Sequence, residues 1–255
     1  MRRMSLAVVV LCVFAAVSHV QGQVARNVII MIADGQGFNT VEATRYYTGQ
    51  TPVQMTFELQ AAVSTYSASG LQRSRPYPDA RLGYDPAKAW YVDYPSWPGL
   101  ATDSSSAATA IYTGIRTHDG MVSMATDGKT PLITIAEIAD YHGKATGAVS
   151  TVQWCHATPG SFWAHSPSRG NYADIAREMV YESGLDVIIG AGHPGYDDNG
   201  AARTTEPAKW DYKCVGGQET WQQLLSGTTG RGWTFTDSKA RLDYLRAMLK
   251  KRPAP

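Results

Sequence analysis

An α/β fold with a mostly parallel central sheet flanked by helices is the architecture that this sequence predicts. Two observations predict it. Apolar runs of strand length, Asn27 to Ala33 and Leu185 to Gly190, are continuous rather than alternating, the pattern of strands covered on both faces. Helical stretches fall between such runs, as repeated β and α segments of a layered fold require. Composition agrees. With 44% hydrophobic and 18% charged residues the chain can build a sizeable core, and a formal net charge of +1 excludes an electrostatic grip on a nucleic-acid backbone.

From the N-terminus, Met1 to Met4 is basic and Ser5 to Val17 is apolar. Val20 and Gly22 then suit a small-residue cleavage site. Residues 1–22 read as a secretory signal peptide, because the apolar core is too short to cross a bilayer. Export to a periplasmic or extracellular space is the expectation, and no later segment has the length or purity of a transmembrane helix. Residues 23–255 then form the α/β domain. After the Asn27 to Ala33 strand come a helix at Thr40 to Tyr47 and a strand at Ala61 to Ser67. Residues 70–98, crowded with Tyr, Trp and Pro, read as a long aromatic loop or lid. A helix led by Thr102 and Asp103 runs to Gly114, and a second, Leu132 to His142, leads into a strand at Thr146 to Val152. Asn171 to Glu182 is helical with Ile175, Met179 and Val180 on one side, and Leu185 to Gly190 is a buried strand. Helices at Glu219 to Leu225 and Lys239 to Lys250 end the chain. Of the three cysteines, Cys155 and Cys214 lie beyond the signal peptide. A disulfide or two free thiols both suit them, whereas no CxxC supports a thiolate metal site.

Chemistry concentrates in four places. In Thr102-Asp103-Ser104-Ser105-Ser106 a hydroxyl falls at a helix N-terminus, where unpaired N–H groups and the positive end of the dipole favour a phosphate and a serine alkoxide. Ser104 is the candidate nucleophile. Asp34 ends an apolar strand, where open α/β sheets keep their ligands, and is placed to ligate a metal. His156 and Thr158 lie two residues apart after another strand, so an extended backbone would aim both at one cation. Arg169 offers a guanidinium fork for two phosphate oxygens. Other candidates fall away. The loop from Gly190 to Gly200 lacks the distal glutamate of an EF-hand, His118 and His142 have no partners at ligand spacing, and Gly35-Gln36-Gly37 lacks the third glycine of a dinucleotide fingerprint.

Taken in order, Ile32-Ala33-Asp34-Gly35-Gln36-Gly37, the Thr-Asp-Ser-x-x-x-Ala-Thr-Ala-x-x-Thr-Gly run from Thr102, His156-Ala157-Thr158-Pro159 and the Ala-His-x-x-x-Arg of Ala164 to Arg169 resemble the alkaline phosphatase family. The resemblance implies a metal-dependent phosphomonoesterase in which Ser104 takes the phosphoryl group and water then hydrolyses the phosphoserine. It implies Zn²⁺ and Mg²⁺ as cofactors, with Asp34 shared between a Zn²⁺ and the Mg²⁺ site, Ser104 itself a metal ligand, and His156 and Thr158 at the Mg²⁺ site. Arg169 would neutralise the phosphoryl oxygens and Asp103 would orient Arg169. Phosphate monoesters are the implied substrates, and the family admits a homodimer for the completed protein. His156 stands where some members carry Asp, which tilts that site toward Zn²⁺ or Co²⁺. The family's remaining metal ligands occupy a second half of sequence whose motifs do not occur before Pro255. The chain is therefore expected to be the N-terminal part of a longer protein, and on its own to be poorly soluble and nearly inactive. The competing expectation is a non-catalytic exported protein, or a truncated fragment, that retains a phosphate- or metal-binding remnant.

Overall fold

Thr134 shows how local chemistry starts an element in this chain. Its hydroxyl accepts from Glu137 N at 3.2 Å, while Glu137 Oε2 accepts from Thr134 N at 2.7 Å. This reciprocal capping box satisfies two donors that the first helical turn leaves unpaired, and helix α3 (Ile135–Tyr141) follows from it. The computed structural model describes residues 25–61, 67–68 and 102–249. In chain order its elements are α1 (Phe38–Thr48), α2 (Ser104–Thr113), α3, β1 (Gly147–Gln153), the single helical turn α4 (Ala157–Gly160), α5 (Tyr172–Tyr181), β2 (Val187–Ala191), α6 (Gln218–Ser226) and α7 (Lys239–Leu249). Short 3₁₀ turns at Val53–Thr56, Pro207–Lys209 and Lys213–Val215 connect them. The signal peptide, most of the Ala61 to Ser67 strand and the 70–98 loop lie outside the described residues. Among the described residues no helix is long and apolar enough to cross a membrane.

The chain divides into two units, residues 1–36 and 37–255. In the first, Asn27 to Ala33 is not a strand, which corrects the expectation from sequence. A continuous apolar run becomes a strand only where neighbours take up its backbone N–H and C=O groups, and the described residues of this unit supply none. The run ends in a turn, with Gln36 N donating to Ala33 O at 3.2 Å across Asp34 and Gly35.

In the second unit β1 and β2 pair in parallel, with Gly147, Ala148 and Val149 opposite Val187, Ile188 and Ile189. The connection runs through α4 and α5, which is the predicted βαβ arrangement. Instead of a full central sheet, the described residues show this two-stranded pair. The register partners Ala148 and Ile188 pack with the core, while Val149 and Ile189 are 70% and 46% exposed. The expectation that Leu185 to Gly190 is buried on both faces is corrected within this unit: one face is covered, and no described element of the unit lies on the other.

The core is built around α5. Ile175, Ala176, Met179 and Val180 are buried along one side of it, as the spacing predicts. They share a cluster with Trp154, Cys155, Trp163, Cys214, Val215 and Trp221. The approach of α4 to α5 depends on Gly160. A Cβ there would fall 2.9 Å from Ile175 Cγ2, so a larger residue would push away the turn that carries Thr158. Because Met179 is fully buried, Met179→Ala should cost about 2–5 kcal/mol in urea unfolding through lost transfer energy and the cavity left behind. Ile133→Ala, at a side chain 70% exposed, should stay within about 0.5 kcal/mol in the same measurement.

Candidate active site

Asp103 is the N-cap of α2, its backbone extended at φ −85° and ψ 168°. Its carboxylate does more than cap. Oδ1 accepts from Ser106 N at 2.9 Å and Oδ2 from Gly120 N at 3.0 Å, while Ser105 Oγ donates at 2.6 Å to Oδ2. Arg169 Nη1 donates to Oδ2 at 3.1 Å. Burial, the largest single influence on Asp103, favours its neutral form. The hydrogen bonds from Ser105, Ser106 and Arg169 together outweigh burial and hold the carboxyl below its ordinary value.

The three consecutive serines are thereby sorted. Ser105 is fully buried, donating to Asp103 and accepting from Gly120 N at 3.0 Å. Ser106, also buried, lies 2.9 Å from both Asp103 Oδ1 and Asp119 Oδ1, one hydroxyl proton between two carboxylates. Ser104 is the first helical residue, only half-buried, and among the described residues its hydroxyl has no hydrogen-bond partner. The helix runs on to Gly114, which closes it in the left-handed conformation at φ 73°. Ser104 is therefore the hydroxyl left accessible at the positive end of the helix, as its sequence position predicts.

Arg169 reaches this helix from the loop after α4. Val122 and Ser166 exchange backbone hydrogen bonds at 2.9 and 2.8 Å, and Arg169 N donates to Gly120 O at 2.6 Å, so the loops 119–124 and 164–169 run side by side. Asp103 engages one nitrogen of the guanidinium, which remains 32% exposed. Among the described residues the rest of the fork has no hydrogen-bond partner, a geometry that suits phosphate oxygens. Loop 119–124 is itself pinned. Ser123 N donates to Thr109 Oγ1 at 2.9 Å and Ser123 Oγ to Ser161 O at 2.7 Å, which fixes a buried non-glycine residue at φ 45°.

His156 caps α4 and stacks on Tyr172, ring centroids 5.1 Å apart at 19°. Burial first, and then the positive charge of Arg169, keep its imidazole pKa below the ordinary value, so it is neutral and offers a lone pair at neutral pH. Thr158 sits inside the helical turn that begins at Ala157. This corrects the expectation of an extended His-x-Thr pair: the helical turn at 157–160 replaces the alternation that would have aimed both side chains one way. Asp34 belongs to the first unit and is exposed in its turn. Among the described residues no three His, Cys, Asp or Glu side chains gather to hold an ion. A neutral imidazole and a hydroxyl suit a cation, but they fit only part of a site.

Sequence reading missed Asp119, Gly120, Tyr172 and Glu178. The Asp119-Gly120 dipeptide was a turn signal that could have drawn attention, whereas nothing in the spacing marked Tyr172 or Glu178. His165 is committed to structure through both ring nitrogens. Nδ1 lies 2.8 Å from Glu178 Oε1, Nε2 lies 3.1 Å from Leu132 O, and Glu137 Oε2 is 3.6 Å away.

A helix-borne serine thus stands beside a carboxylate-held arginine on a βαβ scaffold. The chain belongs to the alkaline phosphatase family, whose model matches residues 25–246. It is 30% identical over 195 residues to alkaline phosphatase 3 of Bacillus subtilis, covering 74% of this chain and 37% of that protein. To the streptomycin-6-phosphate phosphatase of Streptomyces griseus it is 30% identical over 222 residues, 86% of this chain and 42% of the relative. The crystal structure of a cold-active alkaline phosphatase from a psychrophilic Shewanella species matches with a TM-score of 0.57 at 27% identity, covering 84% of this chain and 42% of that one. The chain thus spans about two-fifths of the length of these relatives.

The His165 cluster generates a pH signature. Burial opposes the imidazolium, but Glu178, Leu132 O and Glu137 together outweigh it and raise the pKa. A raised folded-state pKa means that the stabilisation is complete below the unfolded value near about 6.5 and is lost as pH rises through the folded one. The gap in urea midpoint between wild type and His165→Gln should therefore be widest near about pH 6 and shrink steadily toward about pH 9.

Proposed function

We propose that this chain carries the nucleophile and the phosphate clamp of an exported phosphomonoester hydrolase. One observation carries the reading: among the described residues, only Ser104 of the three adjacent serines keeps an uncommitted hydroxyl, and the carboxylate preceding it holds the clamping arginine. Family membership supports a phosphatase, and the leader-like residues 1–22 support export.

In the proposed reaction Ser104 Oγ attacks phosphorus in line with the ester oxygen. The Oγ–P bond forms, the P–O bond to the alcohol breaks, and the alcohol leaves with a proton. Water then attacks the phosphoserine, releasing inorganic phosphate and restoring the serine. The N-terminus of α2 stabilises the alkoxide character of Ser104 through unpaired N–H groups and the helix dipole. Arg169 places the free part of its fork against the phosphoryl oxygens and balances their charge, while Asp103 keeps the guanidinium from swinging away. The Zn²⁺ and Mg²⁺ of the family, when bound, supply Lewis-acid activation of the serine and of water. Asp34, Ser104, His156 and Thr158 are the proposed donors in this chain, with the neutral state of His156 suited to that role.

The test is phosphoenzyme trapping in the whole protein with Zn²⁺ and Mg²⁺ supplied. Wild type should give a phosphopeptide at Ser104, and Ser104→Ala should give none while unfolding at the same urea concentration. Label on Ser105 or Ser106 would refute the assignment, and bound phosphate with no phosphoserine would favour a binding remnant without turnover. Separately, Arg169→Ala should weaken inhibition by inorganic phosphate about 10-fold to 100-fold, the loss of one charge-assisted contact. An unchanged inhibition constant would remove Arg169 from the site.

A further inference from the structure

Cys155 and Cys214 are not used by the proposed reaction, yet both are buried in the core, exposed by 0% and 3%. Cys155 lies two residues past the end of β1 and immediately before His156. Cys214 is the middle residue of the 3₁₀ turn Lys213–Val215. A Cβ added at Gly192 would be 3.3 Å from Cys214 Cβ and equally 3.3 Å from Gln153 Cβ, so Cys214 packs against the end of β1 from which Cys155 leaves. The two thiols are reduced here, and they neighbour each other within the core cluster. We propose that they form a redox pair that closes to an intramolecular disulfide, tying the loop that carries His156 to the 213–215 turn.

The two sulfurs differ in a way that assigns their roles. Cys155 is wholly enclosed, whereas Cys214 keeps a sliver of open surface, 3%. Cys214 also lines a polar hollow shared with Gln153, Gly192, His193, Asp198, Asp211 and Lys213. It is the sulfur that a reagent meets first. The Cys214 thiolate attacks a small disulfide such as oxidised glutathione, forming a mixed disulfide and releasing one thiol. Cys155 then gives up its proton and attacks the Cys214 sulfur, and the second thiol leaves. Two protein thiols are oxidised to one disulfide, and the reagent disulfide is reduced to two thiols. An oxidising compartment, where the leader-like residues 1–22 would send the chain, favours the closed form.

The full chain carrying Cys12→Ser isolates the pair. Equilibration with oxidised glutathione should remove both thiols titratable in guanidinium chloride, lower the mass by about 2 Da, and give a peptide linking 155 to 214. The oxidised form should melt about 5–10 °C above the reduced one. Cys155→Ser should stop at a stable mixed disulfide on Cys214, and Cys214→Ser should take up little glutathione. Two thiols still titratable in the oxidised wild type, or a linkage found only between chains, would overturn the proposal. A glutathione adduct mapped to Cys155 in the wild type would overturn the assignment of roles. None of these readouts depends on phosphatase activity, so failure here and failure of the proposed reaction are separable.

Discussion

The carboxylate of Asp103 is the interaction on which the site depends. It satisfies a backbone donor at the start of α2, absorbs the hydroxyl of Ser105 and shares that of Ser106, receives Gly120 N from the next loop and holds Arg169. An ionised side chain accepting this many bonds in a half-buried position is stable only while all its partners are present. Removing it would leave several donors unpaired at once rather than one. The choice of Ser104 over its neighbours is a consequence of this bonding, because the carboxylate uses the neighbours and leaves the first helical hydroxyl unengaged.

Around that carboxylate the unit is laid out as parallel loops tied to helices. Thr109 in α2 accepts from Ser123, Ser123 reaches Ser161 beyond α4, and Ser166 pairs with Val122 before the chain arrives at Arg169. The left-handed Ser123 is the cost of this layout, a conformation that non-glycine residues adopt only where surrounding bonds over-determine it. His165, clasped by Glu178 of α5, anchors the same loop from the other side. The arginine therefore stands on a frame that joins α2, α4 and α5.

Much of this was legible in the residues. The Asp-Ser start and Gly114 end of α2 and the one-sided apolar spacing of α5 are local signals, and both elements form where they place them. What failed was non-local. Asn27 to Ala33 and Leu185 to Gly190 have the apolar character of doubly covered strands, but coverage is a property of neighbours that a run cannot itself specify. His-x-Thr was read as extended although the chain turns helical after His156, because nothing in four residues separates a strand exit from a helix start. Asp119 carried only a turn signal and Tyr172 none, since their roles come from a loop crossing and a ring stack.

Because one carboxylate both begins α2 and restrains Arg169, the first turn of the helix and the proposed phosphate clamp share a single opening event. Helix ends fray at lower free energy than a domain unfolds. When Ser106 N lets go of Asp103, the guanidinium loses part of its tether and Ser104 loses the ordered amides around it. Warming would thus disassemble the proposed nucleophile and its clamp together, ahead of the hydrophobic cluster around Ile175 and Met179. The heat sensitivity of such a site is set by one helical turn rather than by the stability of the core.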